Sequence, residues 1–245
     1  MNFARLEMSR RVAVPSPWSV SVAKRLFDIT VVLTSAPIAV MLGIAVATVL
    51  FFGSEEPILF RQIRVGRHGE FFRILKFRTM RGDPTFGEVM PGDITRLGRF
   101  LRWSKLDELP QLLNVLRGEM SLVGPRPKVP EQSTSVFACR PGLTGAATLA
   151  FVQESALLDR IPQASVGEYH DRVLLPLKCR MDETYMAKAT LISDLRILAS
   201  TAVRLLNAGQ GKRRQQALEA RRSARDANVP SPEGRPAIPA AQAES

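Results

Sequence analysis

The sequence predicts an α+β protein that associates with a membrane: a long apolar helix, then a mainly helical domain with a small β-hairpin and amphipathic surface helices. Residues 29–52 form a run of 24 residues without a charge. Residues 58–79 read as two strands around a glycine-rich turn, and leucines at helical spacing follow. With 245 residues, 45% of them hydrophobic, the chain can bury the core of one ordinary domain.

The uncharged run is long enough to cross the hydrocarbon core of a bilayer as a helix. Lys24 and Arg25 precede it, and Glu55 and Glu56 follow. It contains Ser35-Ala36-Pro37, and a proline kinks or breaks a helix because it lacks the backbone N–H. The segment is therefore either a kinked helix that spans the bilayer or a re-entrant helix that returns to the same side. Proline is common in spanning helices, so physics alone favours the span.

The predicted hairpin is strongly cationic. Its turn is Gly66-Arg67-His68-Gly69, a four-residue connection with two glycines. Only Glu70 opposes its positive side chains, which are Arg61, Arg64, Arg67, Arg73, Lys76, Arg78 and Arg81. Directly after a membrane segment, such a surface fits contact with anionic lipid headgroups. A merely solvated charged face is the alternative.

The overall charge points to an anionic partner. The net charge is +11 and the pI is about 10.6, which suits nucleic acid, anionic lipid or a phosphate-rich substrate. The two cysteines, Cys139 and Cys179, make neither a disulfide framework nor a zinc site. His68 and His170 are too few for a histidine and cysteine metal cluster.

Composition divides the chain into four parts. They are a flexible segment (1–22), the membrane helix (23–56), the candidate catalytic domain (57–207) and a disordered basic tail (208–245). Within the domain we predict a Gly/Pro loop (83–93), helices (94–103 and 104–117), an irregular stretch (121–145), a return of helix near Glu168 and an amphipathic helix (183–206). Gly118 is the expected stop of the second helix.

Two adjacent carboxylates, Asp107 and Glu108, stand in a helical pattern. Ser104 and Asp107 have the spacing of a capping box, so a purely structural role is one interpretation. Upstream arginines at three-residue intervals favour a catalytic one: Arg96, Arg99 and Arg102. We expect them to lower the pKa of the carboxylates and keep them ionised. Their forked donors also suit a diphosphate.

A second segment suited to phosphate is Gly124-Pro125-Arg126-Pro127. Pro125 and Pro127 hold Arg126 in a stiff extended backbone, which reduces the entropy lost on binding; a plain rigid turn is the alternative. A carboxylate can attack phosphorus, and Mg²⁺ can bridge acidic side chains and phosphate oxygens. No P-loop or dinucleotide fingerprint is present. The residues therefore suit phosphoryl transfer.

Further motifs occur in one order between residues 23 and 206. They are Lys24-Arg25-Leu26-Phe27-Asp28, Phe60-Arg61-Gln62, Lys76-Phe77-Arg78-Thr79-Met80, and residues 95–102, 106–112, 114–116, 120–127 and 140–145, with Asp182 and Tyr185. Together they resemble the bacterial sugar transferases, or monotopic phosphoglycosyl transferases, which prime exopolysaccharide and glycan assembly.

The resemblance implies an activity and a location. The enzyme would transfer a sugar 1-phosphate from a UDP-sugar to undecaprenyl phosphate and release UMP. Asp107 would be the nucleophile, and Glu108 its acidic partner at a Mg²⁺ site. The apolar segment would be re-entrant, broken near Ser35 and Pro37, with the whole fold on the cytoplasmic face of the bacterial inner membrane.

The resemblance also implies binding residues. Arg102 and Arg126 would contact phosphate or the UDP moiety, with Pro125 and Pro127 shaping the loop. Lys76 and Arg78 are further candidates for phosphate binding. Two departures matter: Lys105 stands where the family usually has Ser or Thr, and residues 146–158 lack an Asn-Gly-Arg found in many members.

Two other function classes compete with the transferase. A non-catalytic membrane scaffold of the same fold would not need the Asp107-Glu108 pair. A nucleic-acid binder would need a reading helix or an aromatic stacking surface, and neither is recognisable, so we expect no nucleic acid partner. The sequence leaves open which sugar is used and which oligomeric state is adopted, a homo-oligomer included.

Overall fold

The computed structural model describes residues 14–53, 56–82, 93–130, 137–151, 154–158, 161 and 165–207. Residues 1–13, the predicted tail over 208–245 and all of the predicted loop except Asp93 lie outside these ranges. The chain divides into the units Met1–Leu205 and Leu206–Ser245. The elements below belong to the first unit, apart from the last two residues of the final helix.

The part of the predicted flexible segment that is described is folded. Helix α1, Pro17–Val20, begins after Ser16, whose hydroxyl accepts the N–H of Ser19. The N–H of Ser16 donates to the carbonyl of Met186 at 2.8 Å. The prediction of flexibility is therefore wrong for these residues, because a Ser-Pro cap and a contact distant in sequence hold them.

Helix α2, Val22–Gly53, is long and apolar enough to cross a membrane by length and composition. Only 11% of its most apolar 18-residue window is buried, unlike the core helix of a soluble domain. It runs through Pro37, so the predicted break does not interrupt the helical backbone. The hydroxyls of Thr34 and Ser35 donate to the carbonyls of Thr30 and Val31, an arrangement that bends helices.

The predicted hairpin is confirmed. Strands β1, Leu59–Val65, and β2, Phe71–Phe77, pair antiparallel. The turn between them includes a 3₁₀ segment, Arg67–Gly69. Because side chains alternate across a strand, even-numbered residues of β1 share one face and odd-numbered residues the other. The even-numbered face lines the cavity described below.

The predicted helix over 104–117 is divided. Helix α3, Arg96–Ser104, is followed by a 3₁₀ turn, Leu106–Glu108, and by helix α4, Gln111–Arg117. Lys105, between α3 and the turn, has the left-handed φ of 59°. The leucine spacing continues across this division, which is why periodicity suggested one helix. Gly118, with φ of 84°, ends α4 as expected.

The capping interpretation of Asp107 is wrong. The hydroxyl of Ser104 donates to the carbonyl of Phe100 at 2.9 Å, inside α3, so it caps no following helix. The cap of α3 is Thr95, whose hydroxyl accepts the N–H of Gly98 at 2.8 Å. Asp107 is therefore available for another role.

Part of the stretch predicted as irregular forms a small parallel sheet. Strands β3, Ser121–Val123, and β4, Gly142–Thr144, pair side by side. A Cβ on Gly142 would lie 2.1 Å from the nitrogen of Gly124, and a Cβ on Gly145 would lie 2.2 Å from the carbonyl oxygen of Gly124. Only glycine permits this approach, which ties the two glycine-containing motifs together.

The remaining elements of the described chain are helices. They are α5, Ala146–Ala150; α6, Glu154–Leu158; α7, Val166–Tyr169; a π-helical segment, His170–Leu174; α8, Leu175–Lys188; and α9, residues 191–207. Helix is present near Glu168 as predicted, but α5 and α6 precede it. The predicted helix over 183–206 is two helices, because Thr190 and Ser193 exchange capping hydrogen bonds at 2.8 and 3.1 Å.

Helix α2 contributes to both hydrophobic clusters of the core. Val32, in its first half, packs with residues of β2, α4, β3 and α8. Val46 and Leu50, in its second half, pack with Phe77 of β2 and Leu101 of α3. The two halves of the apolar helix therefore rest on the same folded body.

A buried charged network also holds α2. The Nζ of Lys24 lies 2.8 Å from Asp28 and 2.8 Å from Asp194, and all three side chains are almost fully buried. Asp194 also accepts hydrogen bonds from Trp18 and Tyr185. The network joins α1, α2, α8 and α9.

Candidate active site

A cavity of about 380 Å³ lies between the hairpin, α3 and the 3₁₀ turn. Asp107 and Glu108 are in its wall, 6% and 9% exposed. The cations that line it are Lys76, Arg78, Arg102, Lys105 and Arg126, with Arg64 on the hairpin face. The structure thus gathers six residues predicted from sequence, namely Lys76, Arg78, Arg102, Asp107, Glu108 and Arg126. Arg96 and Arg99 are exposed on α3 and do not line it.

Local structure turns the two carboxylates inward. Lys105 ends α3 in the left-handed conformation and redirects the chain. Leu106 and Leu109, on either side of the acids, pack against the second hydrophobic cluster. The intervening Asp107 and Glu108 consequently face the cavity rather than solvent.

Glu108 is surrounded by positive charge. Its Oε1 lies 2.9 Å from Lys76, 3.8 Å from Arg126 and 3.9 Å from Lys105. Burial by itself would raise the pKa of Glu108, but the three cations outweigh burial and hold that pKa below its usual value. Burial also lowers the pKa of Lys76, against the attraction of Glu108. Glu108 is therefore an ionised carboxylate at neutral pH.

Asp107 is the opposite case. Burial, and then the negative charge of Glu108, raise its pKa above the usual value, although Lys76, Lys105 and Arg102 act in the other direction. The expected net direction, a pKa lowered by the upstream arginines, is therefore wrong, because burial and Glu108 outweigh Arg102, and Arg96 and Arg99 are exposed and do not line the cavity. Oδ1 of Asp107 is buried and has no hydrogen-bond partner among the described residues. It is a basic oxygen with free lone pairs.

Arg126 is held by a rigid loop. Pro125 and Pro127 are buried, whereas the side chain of Arg126 is 52% exposed. The carboxylate of Asp182 accepts the backbone N–H groups of Arg126 and Ala147, and burial raises the pKa of Asp182 to about 6. Asp182 was noted from the family pattern only, and the structure places it behind the phosphate-binding candidate.

Arg102 and Arg78, which also line the cavity, have protein partners. Nε of Arg102 donates to the hydroxyl of Thr79 at 2.8 Å. Arg78 forms an ion pair with Glu56 at 3.2 Å. Sequence reasoning missed Thr79, Lys105 and the even-numbered face of β1 as parts of the site. The alternation of β1 could have indicated that face.

Asp107 and Glu108 could supply only part of the ligand set of a hard cation. No group of three or more His, Cys, Asp or Glu side chains that could hold a metal occurs in the described part of the chain. Mg²⁺ often takes only one or two carboxylates, with water and substrate phosphate as its other ligands. The free Oδ1 of Asp107 suits this, while Oε1 of Glu108 already faces three cations. The pair therefore fits Mg²⁺ bound together with a phosphate substrate.

Comparison with known proteins points the same way. The model of the family described as bacterial sugar transferase matches residues 19–208. A UDP-glucose:undecaprenyl-phosphate glucose-1-phosphate transferase of Caulobacter vibrioides is 36% identical over 77% of this chain and 71% of its own length.

Two further relatives differ in length and in what their names describe. The exopolysaccharide production protein PSS of Rhizobium leguminosarum bv. phaseoli is 33% identical over 78% of this chain and 98% of its own length. An undecaprenyl-phosphate galactose phosphotransferase of Salmonella typhimurium is 31% identical over 73% of this chain, but over only 39% of its own length.

Proposed function

Because the chain belongs to the bacterial sugar transferase family, we propose that it transfers a sugar 1-phosphate from a UDP-sugar to undecaprenyl phosphate, the priming step of exopolysaccharide or glycan synthesis. The observation that carries the proposal is a buried oxygen of Asp107 that has no partner among the described residues and lies in a cavity lined by cations. Relatives are named for glucose and for galactose, so the sugar is a matter for experiment.

The donor diphosphate would lie among the cations of the cavity. Among the cavity cations that form ion pairs, Arg126 has the most exposed side chain. It can therefore reach a ligand while its loop stays folded. Arg102, held by Thr79, and Arg78, held by Glu56, also line the cavity as positioned positive charges. Forked guanidinium donors match phosphate oxygens in pairs.

The reaction has two half-steps. Oδ1 of Asp107 attacks the sugar-linked phosphorus, and the bond from that phosphorus to the bridging oxygen breaks, so UMP leaves with that oxygen. A phosphate oxygen of undecaprenyl phosphate then attacks the same phosphorus. The bond to Asp107 breaks, which yields undecaprenyl diphosphate sugar and restores the carboxylate. The raised pKa of Asp107 makes its ionised form the more basic nucleophile.

Mg²⁺ is the proposed cofactor, held by Asp107 and Glu108, and it would supply positive charge against the donor diphosphate. The chain contributes its own share of that charge. Lys76 stays on Glu108 at 2.9 Å and keeps that carboxylate ionised, while Arg102 and Arg126 remain available to phosphate.

We also propose that α2 enters the bilayer without crossing it. Residues 24–32 and 46–50 contact the same folded body through Lys24, Asp28 and Val32 on one side of Pro37 and Val46 and Leu50 on the other. Only the residues between Val32 and Val46, about 20 Å of helix, are free to extend away. The hydrocarbon core is about 30 Å thick, so this length is too short to span it.

Contact with anionic lipid is proposed for the outer face of the hairpin. Ile63 and Phe71 are 50% and 65% exposed there, beside the arginines Arg61 and Arg73. Apolar side chains next to basic ones suit the interface of an anionic leaflet. This would place the catalytic domain on the cytoplasmic face of the inner membrane.

The activity is tested by measuring UMP released from a panel of UDP-sugars with undecaprenyl phosphate as the acceptor. We expect release with at least one sugar and its loss in Asp107→Asn. Asp171→Asn is the matched control, since Asp171 is exposed and does not line the cavity. Absence of release with every sugar and acceptor, from a folded protein in the membrane, would favour the scaffold hypothesis.

The membrane topology has its own test. Single cysteines at Val14 and Pro57, both exposed and on opposite sides of α2, report which face of the membrane each end occupies. The native Cys139 and Cys179 are buried. In intact cells we expect neither new cysteine to react with an impermeant thiol reagent, and both to react after permeabilisation. Labelling of only one end in intact cells would show a spanning helix.

A further inference from the structure

One oxygen of Glu108 is shared unequally by three cations. Lys76 is at hydrogen-bond distance, 2.9 Å, and its side chain is 20% exposed. Lys105 and Arg126 are farther away, at 3.9 and 3.8 Å, and are 46% and 52% exposed. Lys76 is therefore fixed on Glu108, whereas Lys105 and Arg126 are attracted to it without a close hydrogen bond.

The backbone of Lys105 is unusual for its residue type. Its φ of 59° and ψ of 13° lie in the left-handed region, which glycine and asparagine adopt more readily than lysine. Helix termination alone would thus favour another residue at this position. The side chain lines the cavity beside Asp107 and Glu108. A non-glycine residue held in this conformation at a site is a reason to look for a function.

We propose that Lys105 and Arg126 together bind the donor diphosphate, and we call this pair of cations the diphosphate grip. In the free enzyme both cations are paired with Glu108, and they move to the donor phosphates when the UDP-sugar binds. The identity of the donor rests on the proposed function, whereas the grip itself follows from the geometry around Glu108. Lys105 would thereby be a binding residue for the donor, and Glu108 the residue that positions both cations.

The exchange is favourable on physical grounds. Partly exposed ion pairs without close hydrogen bonds contribute little, so leaving Glu108 costs little. Hydrogen bonds from a cation to a phosphate oxygen are among the stronger ones, and a diphosphate offers several oxygens. Lys76 stays behind and compensates the charge of Glu108. Glu108 therefore orders the grip but also competes with the donor for it.

The first test measures UDP binding by calorimetry, with the full chain in nanodiscs and EDTA present to remove divalent cations. Lys105→Asn removes the charge while tolerating the left-handed backbone, and we expect Kd for UDP to rise about tenfold. Lys105→Arg keeps the charge and should bind within about threefold of wild type. Lys188→Asn is the control, because Lys188 is exposed and does not line the cavity.

The second test uses a variant that should bind UDP more tightly rather than more weakly. Glu108→Gln removes the competitor, so UDP should bind about two- to tenfold more tightly in EDTA even though turnover falls. If Glu108 acted only as a metal ligand, this Kd would not change. Unaltered UDP binding in Lys105→Asn, or weaker or unaltered binding in Glu108→Gln, overturns the grip. Binding as expected without UMP release from any UDP-sugar would instead overturn the proposed function alone.

Discussion

Lys24→Met removes the cation from a buried group that contains two carboxylates, Asp28 and Asp194. The ammonium lies 2.8 Å from an oxygen of each, and the side chains are 5%, 2% and 0% exposed. Methionine has a similar length but removes the cation that both carboxylates share. The substitution therefore tests how α2 is fastened to the folded body.

Removing one partner of a buried ion pair costs about 3–5 kcal/mol. Part of that cost is offset here, because Ser121 donates to Asp28 at 2.7 Å, and Trp18 and Tyr185 donate to Asp194 at 2.9 and 2.6 Å. The lower end, about 3 kcal/mol, is therefore expected. For a domain of this size it lowers Tm by about 6–12 °C.

The assay is thermal unfolding of the purified protein in detergent at pH 7.5, with Lys188→Met as the exposed control. The double variant Lys24→Met/Asp28→Asn has one buried anion fewer, so we expect it to regain about half of the loss. A change in Tm below about 2 °C for Lys24→Met would refute the reasoning, because it would show that the two carboxylates do not need their cation.

Three further results are expected. Asp107→Asn should raise Tm by about 1–3 °C at pH 7.5, because burial and Glu108 disfavour the charged form of Asp107. The same variant should have no turnover, and a lower Tm would contradict the expected stabilisation. The pKa of Asp182 is about 6 in the folded chain, above its unfolded value, so its contribution to stability is complete below about pH 4 and is lost as pH rises through 6. Between pH 4 and 7.5 the free energy of unfolding should therefore fall by an amount on the order of 3 kcal/mol, and Asp182→Asn should remove this pH dependence. Gly98→Ala places a Cβ 2.0 Å from the carbonyl oxygen of Thr79 and should lower kcat/KM by about a hundredfold. Gly167→Ala is the control, because its Cβ meets nothing within 4 Å, and equal kinetics in the two variants would show that α3 need not be close to Thr79.

Local patterns explain the parts of the fold that the sequence predicted. The hairpin combines β-forming strands with a glycine-rich turn, and both signals lie within 22 residues, 58–79. Gly118 ends α4 because its positive φ suits glycine. The two carboxylates of the cavity and four of its cations were predicted from motifs, Lys105 and Arg64 were not, and the hairpin and the 3₁₀ turn bring them together.

The missed features depend on single residues or on distant contacts. The helical spacing of leucines runs from Leu106 in the 3₁₀ turn into α4, so it reveals neither the turn nor the left-handed conformation of Lys105 before it. Strands β3 and β4 have three residues each, too few for a periodic pattern, and depend on the close approach of Gly124 and Gly142. Trp18 reaches Asp194 across 176 positions, which local reasoning does not detect.

The direction of the Asp107 pKa was missed for a related reason. Charge counting along α3 suggests a low pKa, since three arginines lie nearby in sequence. The value depends instead on burial and on the neighbouring Glu108, and burial is a property of the folded chain. In the described part of the chain the buried Oδ1 has no hydrogen-bond partner, which is the basis of the proposed mechanism.

The central claim is that Asp107 carries the sugar phosphate between the two half-steps. The most direct measurement mixes the enzyme with a UDP-sugar labelled in its sugar and with no acceptor, quenches the mixture in acid and looks for label on the protein. We expect one UMP released per labelled chain, label on the peptide that contains Asp107, its loss in Asp107→Asn and its transfer when undecaprenyl phosphate is added. The covalent mechanism would be contradicted if turnover with acceptor is rapid, no labelled protein forms without acceptor, and the kinetics are those of a ternary complex.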